Sequence, residues 1–222
     1  MRPRLLLFTR TTDYRHDSIP AGVAMVQAIG AEDGFGVDAH EDPTAFEQAN
    51  LKRYDLVIWL ATCGAILTEP QRDAFEGWLK AGGAFAGIHS ATASEYDWPA
   101  FEAIIGARLD NHPKPQRARI SVEDRDHPST CHLEPTWQWD DEWYNFRANP
   151  RGRVRVLATV DEATYTGGEM GSDHPIAWCG RYGDGRSWYT ALGHAIEAYH
   201  DPVFAEHVRG GINSLVRGGS WP

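Results

Sequence analysis

Short apolar runs separated by amphipathic stretches set the pattern of the first half of the chain. Leu5 to Thr9 stops abruptly at a polar segment, and Asp55 to Leu60 (DLVIWL) is continuous, β-branched and polar at both ends. Both read as buried strands. Between them Ile19, Val23, Val26 and Ile29 recur at helical spacing. Pro20 in the first turn and Ser18 before it predict a helix capped by Ser18 and broken by Gly34 and Gly36. Gly36 to His40 makes a second short strand. Thr68-Glu69-Pro70 opens an amphipathic helix through Phe75, Trp78 and Leu79, closed by Gly82 and Gly83, and Ala84 to Ile88 is the next strand. This alternation predicts an α/β fold with a doubly wound, mostly parallel sheet.

Beyond a short helix over Trp98 to Ile105 the period changes. Arg117 to Glu123 (RARISVE), Thr136 to Asp140 (TWQWD) and Arg153 to Val160 alternate with period two, as strands with one wet face do. They predict a mixed or antiparallel extension of the sheet. Pro175 to Cys179 and Ser187 to Leu192 flank the glycine-rich turn GRYGDGR, consistent with a hairpin and without the strand-to-helix context of a phosphate loop. Phe204 to Val216 closes the chain as an amphipathic helix. No low-complexity linker or repeat interrupts the sequence, so residues 1–222 read as one domain.

The stretch Gly82 to Ser94, GGAFAGIHSATAS, has the outline of a strand-to-helix elbow. Gly87 would let the chain turn sharply and present His89 at the carboxyl end of a buried strand, where open α/β sheets place their sites. A nucleophile elbow carries Ser or Cys at its apex; here the apex is an imidazole. Three further histidines fall at predicted strand ends or in the loops after them: His16, His112 and His194. In a parallel sheet such ends converge on one rim, and imidazole is both a common metal ligand and an acid/base group near neutrality. Asp140-Asp141-Glu142, followed by Trp143 and Tyr144, can add a carboxylate. A mixed His/carboxylate set suits zinc, or iron or manganese, and equally an acid/base pair without metal.

Composition narrows the partners. Hydrophobic residues at 42% and charged residues at 23% are those of a globular protein. A formal net charge of -10 argues against nucleic acid or an anionic membrane. Nine tryptophans supply flat faces for stacking on sugars, and equally for a core or a homodimer interface. Three cysteines without C-x-x-C spacing make a disulfide framework or thiolate zinc site unsuited. With no apolar run long enough for a secretory leader or a membrane span, the expected location is cytoplasmic. Cys63 and Ser90 are outlying nucleophile candidates, each short of a base partner. His127-Pro128 and His174-Pro175 read as structural turn entries.

At RHDSIP (15–20), GIHSATAS (87–94), IGARLDNHP (105–113), DHPST (126–130), DEWY (141–144) and YGDGRSWYTALGH (182–194) the chain resembles the trehalose-utilisation, or ThuA-like, family, from about Leu5 to Arg217. The resemblance implies the flavodoxin-like sandwich of class I glutamine amidotransferases. Those enzymes carry a cysteine at the elbow, served by a histidine from a later strand end. Here His89 takes the elbow position, no cysteine stands beside it, and His194 resembles the partner histidine, so glutaminase activity is not expected. The resemblance also implies a carbohydrate context, disaccharides and their 3-keto forms among them. The expectation is a sugar-processing protein in which His89, His194 and Glu142 are catalytic. His16, Trp143, Tyr144 and Trp98 would contact the sugar, and His16, His89, His112 and His194 would hold a divalent metal, zinc foremost. The alternative is a non-catalytic sugar-binding or regulatory module on a degenerate amidotransferase fold.

Overall fold

The computed structural model describes residues 2–218. In chain order its elements begin with β1 (Arg4–Phe8), α1 (Ile19–Asp33), β2 (Gly36–His40), the one-turn α2 (Gln48–Leu51), β3 (Leu56–Leu60), α3 (Glu69–Lys80) and β4 (Ala84–Ile88). There follow α4 (Pro99–Ile105), β5 (Leu109–Asn111), β6 (Gln116–Val122), β7 (Thr136–Asp141) and β8 (Asn145–Phe146). The chain continues through β9 (Arg155–Asp161), β10 (Pro175–Tyr182), β11 (Gly185–Thr190) and α5 (Pro202–Val216).

Nine strands form one sheet in the order β2-β1-β3-β4-β11-β10-β9-β6-β7. The five from β2 to β11 run parallel, and each strand from β10 outward is antiparallel to its neighbour. Four reversals separate β11 from β7, so β7 again points the same way as β4. The carboxyl ends of β1, β4, β11 and β7 therefore share one rim. This is a doubly wound α/β architecture with an antiparallel extension, as the alternating patterns predict, and of the flavodoxin type that the resemblance implies.

β3 and β4 are wholly buried, which is why their sequences read as unbroken apolar runs. Register aligns Trp59 with Gly87 and Gly87 with Tyr189 on one face, and Ala86 with Trp188 on the other. On the first face Trp59 stacks on Phe101 of α4 at 4.5 Å and on Phe75 of α3 at 5.7 Å. On the second, α5 approaches so closely that a side chain on Gly211 would meet the Trp188 ring within 2.7 Å.

Four local expectations change. Ser18 does not cap α1: its hydroxyl donates instead to the Gly193 carbonyl at 3.4 Å, joining the helix start to the turn after β11. α5 starts at Pro202 rather than Phe204, because the Asp201 carboxylate accepts from the N–H groups of Val203 and Phe204 and caps it. β11 begins at Gly185 and ends at Thr190, which leaves 191–194 as a loop. β5 and β8 pair as a separate two-stranded ribbon too short for any periodicity to announce.

Candidate metal and active site

β4 gives way to a single 3-10 turn, His89–Ala93, rather than to an α-helix. The sharp bend is not made at Gly87, which lies inside the strand. There it leaves room for Tyr189, Ile105 and Ala91, each within 3.3 Å of where a Cβ would stand. His89 itself takes the left-handed conformation, with φ 55°. A β-carbon disfavours that region, and such strain persists only where the surroundings over-determine it. Here they do. The Tyr189 hydroxyl donates to the His89 carbonyl at 2.8 Å, and the ring is fully buried with Nδ1 2.9 Å from the Ala191 carbonyl.

That second contact fixes the tautomer. A carbonyl only accepts, so Nδ1 of His89 carries the proton and Nε2 presents its lone pair to the rim. Tyr144 donates its hydroxyl to this Nε2 at 2.8 Å, with its ring stacked on the imidazole at 4.8 Å. His16, in the loop after β1, places its own Nε2 3.0 Å away, while its Nδ1 faces the Ser90 hydroxyl at 3.4 Å. Glu142 follows β7, with Oε2 3.7 Å from His89 Nε2 and 3.4 Å from His194 Nδ1. One donor atom from each of His16, His89, Glu142 and His194 lies within 4.8 Å of all the others.

Charge follows from burial. Desolvation, with the neighbouring imidazoles, pushes His16 down to about 3. His89 falls to about 4, again chiefly by burial. Both rings are therefore neutral at neutral pH, the form that binds metal. His194 moves the other way because Glu142 faces it. Burial works to raise Glu142, but the His194, His89 and His112 rings together hold it below the usual carboxylate range. Burial raises the Tyr144 phenol well above its ordinary value, so it remains a hydroxyl.

These residues fit a divalent cation. Three imidazoles and one carboxylate are a donor set of the kind zinc, iron and manganese take. His194 Nδ1 is buried with no hydrogen-bond partner, 3.4 Å from Glu142 Oε2 and off hydrogen-bond geometry, an arrangement a bound ion would resolve.

The rim opens on a cavity of about 380 Å³ lined by Tyr14, His16, Cys63, Ser90, Ala93, Leu109, His112, Glu142 and Tyr144. That is the lower end of the range for small-molecule sites. His112 is brought to the cavity but not into the four-atom group. Its half-exposed ring has Nδ1 3.0 Å from Glu142 Oε1 and 3.1 Å from the Pro113 carbonyl, which puts the proton on Nδ1.

Two aromatic expectations do not survive the geometry. Trp98 is buried in the core, stacked on Phe101 at 5.7 Å, because it leads into α4 beneath the sheet. Trp143 is also buried, since residues on either side of Glu142 and Tyr144 point away from the rim, and its Nε1 donates to the Gln116 carbonyl at 2.8 Å. Tyr14, absent from the sequence reading, lines the cavity with its ring edge-on to His16 at 4.7 Å.

Cys63 lines the cavity, but burial raises its thiol, the opposite of a thiolate nucleophile. Ser90 lies against His16, whose other nitrogen meets His89 rather than a carboxylate, so no Ser-His-acid triad forms. His127 and His174 hold structure: His127 Nδ1 lies 2.8 Å from Ser129 Oγ, and His174 links Glu162 to the Tyr144 carbonyl.

Asp141 is the residue that sequence reasoning passed over. Fully buried at the end of β7, it accepts from the backbone N–H of Glu142 at 2.8 Å, Gly193 at 2.9 Å and His194 at 3.1 Å. Trp139 Nε1 adds a fourth donor at 2.9 Å. Burial raises its pKa while the N–H groups pull it down, and four donors require the carboxylate form.

The fold and this rim define a class: flavodoxin-type α/β proteins whose elbow presents an imidazole within a histidine–glutamate cluster. The profile of the trehalose-utilisation (ThuA) family matches residues 4–213, and the chain belongs to that family. Among solved structures it is similar to a protein described as ThuA-like from Bacteroides uniformis, with TM-score 0.83 and 23% identity over 99% of this chain and 93% of that one. Another, from Parabacteroides merdae, gives TM-score 0.80 and 21% identity over 100% and 94%. A cytoplasmic protein of Salmonella typhimurium shares the fold at TM-score 0.68 and 12% identity over 96% and 99%. Comparison with curated proteins finds no match. Among the described residues no helix is long and apolar enough to cross a membrane.

Proposed function

We propose that this protein processes a sugar or keto-sugar at the His16–His89–Glu142–His194 cluster, with a divalent metal, zinc foremost, held by those four side chains. The observation that carries the reading is the convergence of four donor atoms within 4.8 Å, from strand ends far apart in sequence. The family's description, trehalose utilisation, supplies the substrate class. When bound, such a metal supplies Lewis-acid polarisation of a carbonyl or hydroxyl oxygen.

The remaining chemistry falls to the chain. Tyr144, kept protonated by burial, offers a hydroxyl to an oxygen developing negative charge. His112, its Nδ1–H directed at Glu142, presents Nε2 to the cavity and relays a proton between substrate and Glu142. Tyr14 gives the sugar an aromatic wall, and Leu109 and Ala93 an apolar one. Glutamine hydrolysis has no thiolate to begin it, because His89 occupies the elbow and burial holds Cys63 as a thiol.

The test is turnover of a panel of neutral disaccharides and 3-keto-disaccharides by zinc-loaded protein, beside Glu142→Gln. The reading expects turnover of at least one sugar, falling at least a hundredfold in the variant. Sugar binding without turnover in either protein would instead favour a binding module.

A further inference from the structure

The buried carboxylate of Asp141 touches neither the cavity nor the group of four donor atoms, yet two of those donors are attached to backbone it holds. Its Oδ1 accepts from Glu142 N and His194 N, and its Oδ2 from Gly193 N and Trp139 Nε1. The end of β7 and the turn after β11 are four places apart in the strand order and are joined here through one side chain.

The turn needs holding. Gly193 has φ 117°, a conformation that residues other than glycine rarely adopt, and no regular element follows it until the 3-10 turn at Ile196–His200. The Ser18 hydroxyl on the Gly193 carbonyl is the second restraint. An Asn at 141 would keep the shape of Asp but turn an NH2 group toward N–H donors, so at least one side of the junction would be left unpaired.

We propose that Asp141 is the positioning residue of the metal site, setting the separation of His194 from Glu142. The proposal rests on the metal reading given above. Outer groups that orient ligands are worth about tenfold to a hundredfold in metal affinity.

The experiment is a competition titration with zinc alone, on wild type, Asp141→Asn, His194→Ala and the double variant, with the thermal midpoint of each metal-free protein measured alongside. Asp141→Asn is expected to weaken zinc binding about tenfold to a hundredfold. The double variant is expected to bind no more weakly than His194→Ala, since Asp141 acts through the placement of His194 and has nothing left to place once that ring is gone. Wild-type affinity in Asp141→Asn, or losses that multiply in the double variant, would overturn the proposal. A wild-type protein that takes no zinc would overturn the metal reading itself and this proposal with it. Should Asp141→Asn fail to fold, Trp139→Phe keeps a ring beside Trp137 and Phe204 and removes the side-chain donor to Oδ2; a loss of about threefold or more is expected there, and unchanged affinity counts against the proposal.

Discussion

His89 and His16 face each other through their Nε2 atoms at 3.0 Å, ring planes 82° apart. Two buried neutral imidazoles so placed share one proton between them or direct two lone pairs at one ion. The Ala191 carbonyl decides the His89 side by fixing the proton on Nδ1. In metal-free protein at pH 7, nitrogen-detected NMR should therefore report His89 as the neutral Nδ1–H tautomer. An imidazolium, or the Nε2–H form, would contradict the assignment.

Acid should destabilise the metal-free protein. His89, His127 and His207 are lowered to about 4 by burial, and His16 to about 3. Their unfolded value is about 6.5, so between roughly pH 6.5 and 4 the unfolded chain binds more protons than the fold. Stability is then complete above about 6.5 and lost as pH falls through that window. A single shift of this size corresponds to on the order of 3 kcal/mol. His207 contributes from outside the site, with Nδ1 donating to the Ser129 carbonyl at 2.7 Å. Urea midpoints taken from pH 7.5 to 4.5 should fall steadily; a flat or rising series would refute this.

Trp98 should behave as a core residue. Its ring stacks on Phe101 and meets Phe75 edge-on, so Trp98→Ala is expected to cost about 3–5 kcal/mol of stability. Denaturant unfolding measures this. A loss under about 1 kcal/mol, or a change confined to sugar binding, would return Trp98 to the sugar-contacting role expected from the sequence.

Gly193→Ala tests the turn that carries His194. Its φ of 117° and a new Cβ 2.6 Å from the Tyr199 hydroxyl together predict a loss of about 1–3 kcal/mol. An unchanged thermal midpoint would show that the turn tolerates another conformation.

The sheet could be read from the sequence because its central strands are buried on both faces. DLVIWL and AFAGI leave no polar alternation to confuse the period, and GGAFAGIHS marks the elbow. Parallel topology then brings the ends of β1, β4 and β11 to one rim, and with them His16, His89 and His194. What could not be read is direction within a run. Asp140, Asp141 and Glu142 are three adjacent acids; only the strand's alternation sends Asp140 to solvent and Asp141 inward, and the chain leaves β7 at Glu142. The same ambiguity misplaced Trp143 relative to Tyr144. Aromatic content says nothing of where each ring lies, so it does not mark Trp98 as a core residue. His112 follows β5, whose pairing with β8 is too short for any periodicity to announce, so its place outside the four-atom group was not legible.

Diffraction from crystals of zinc-loaded protein, collected on either side of the zinc absorption edge, tests the central claim most directly. The account predicts one anomalous peak bounded by His16, His89, His194 and Glu142, with metal–nitrogen distances of about 2.0–2.1 Å. Zinc-loaded crystals with no peak among those four side chains, or with the peak elsewhere, would contradict it.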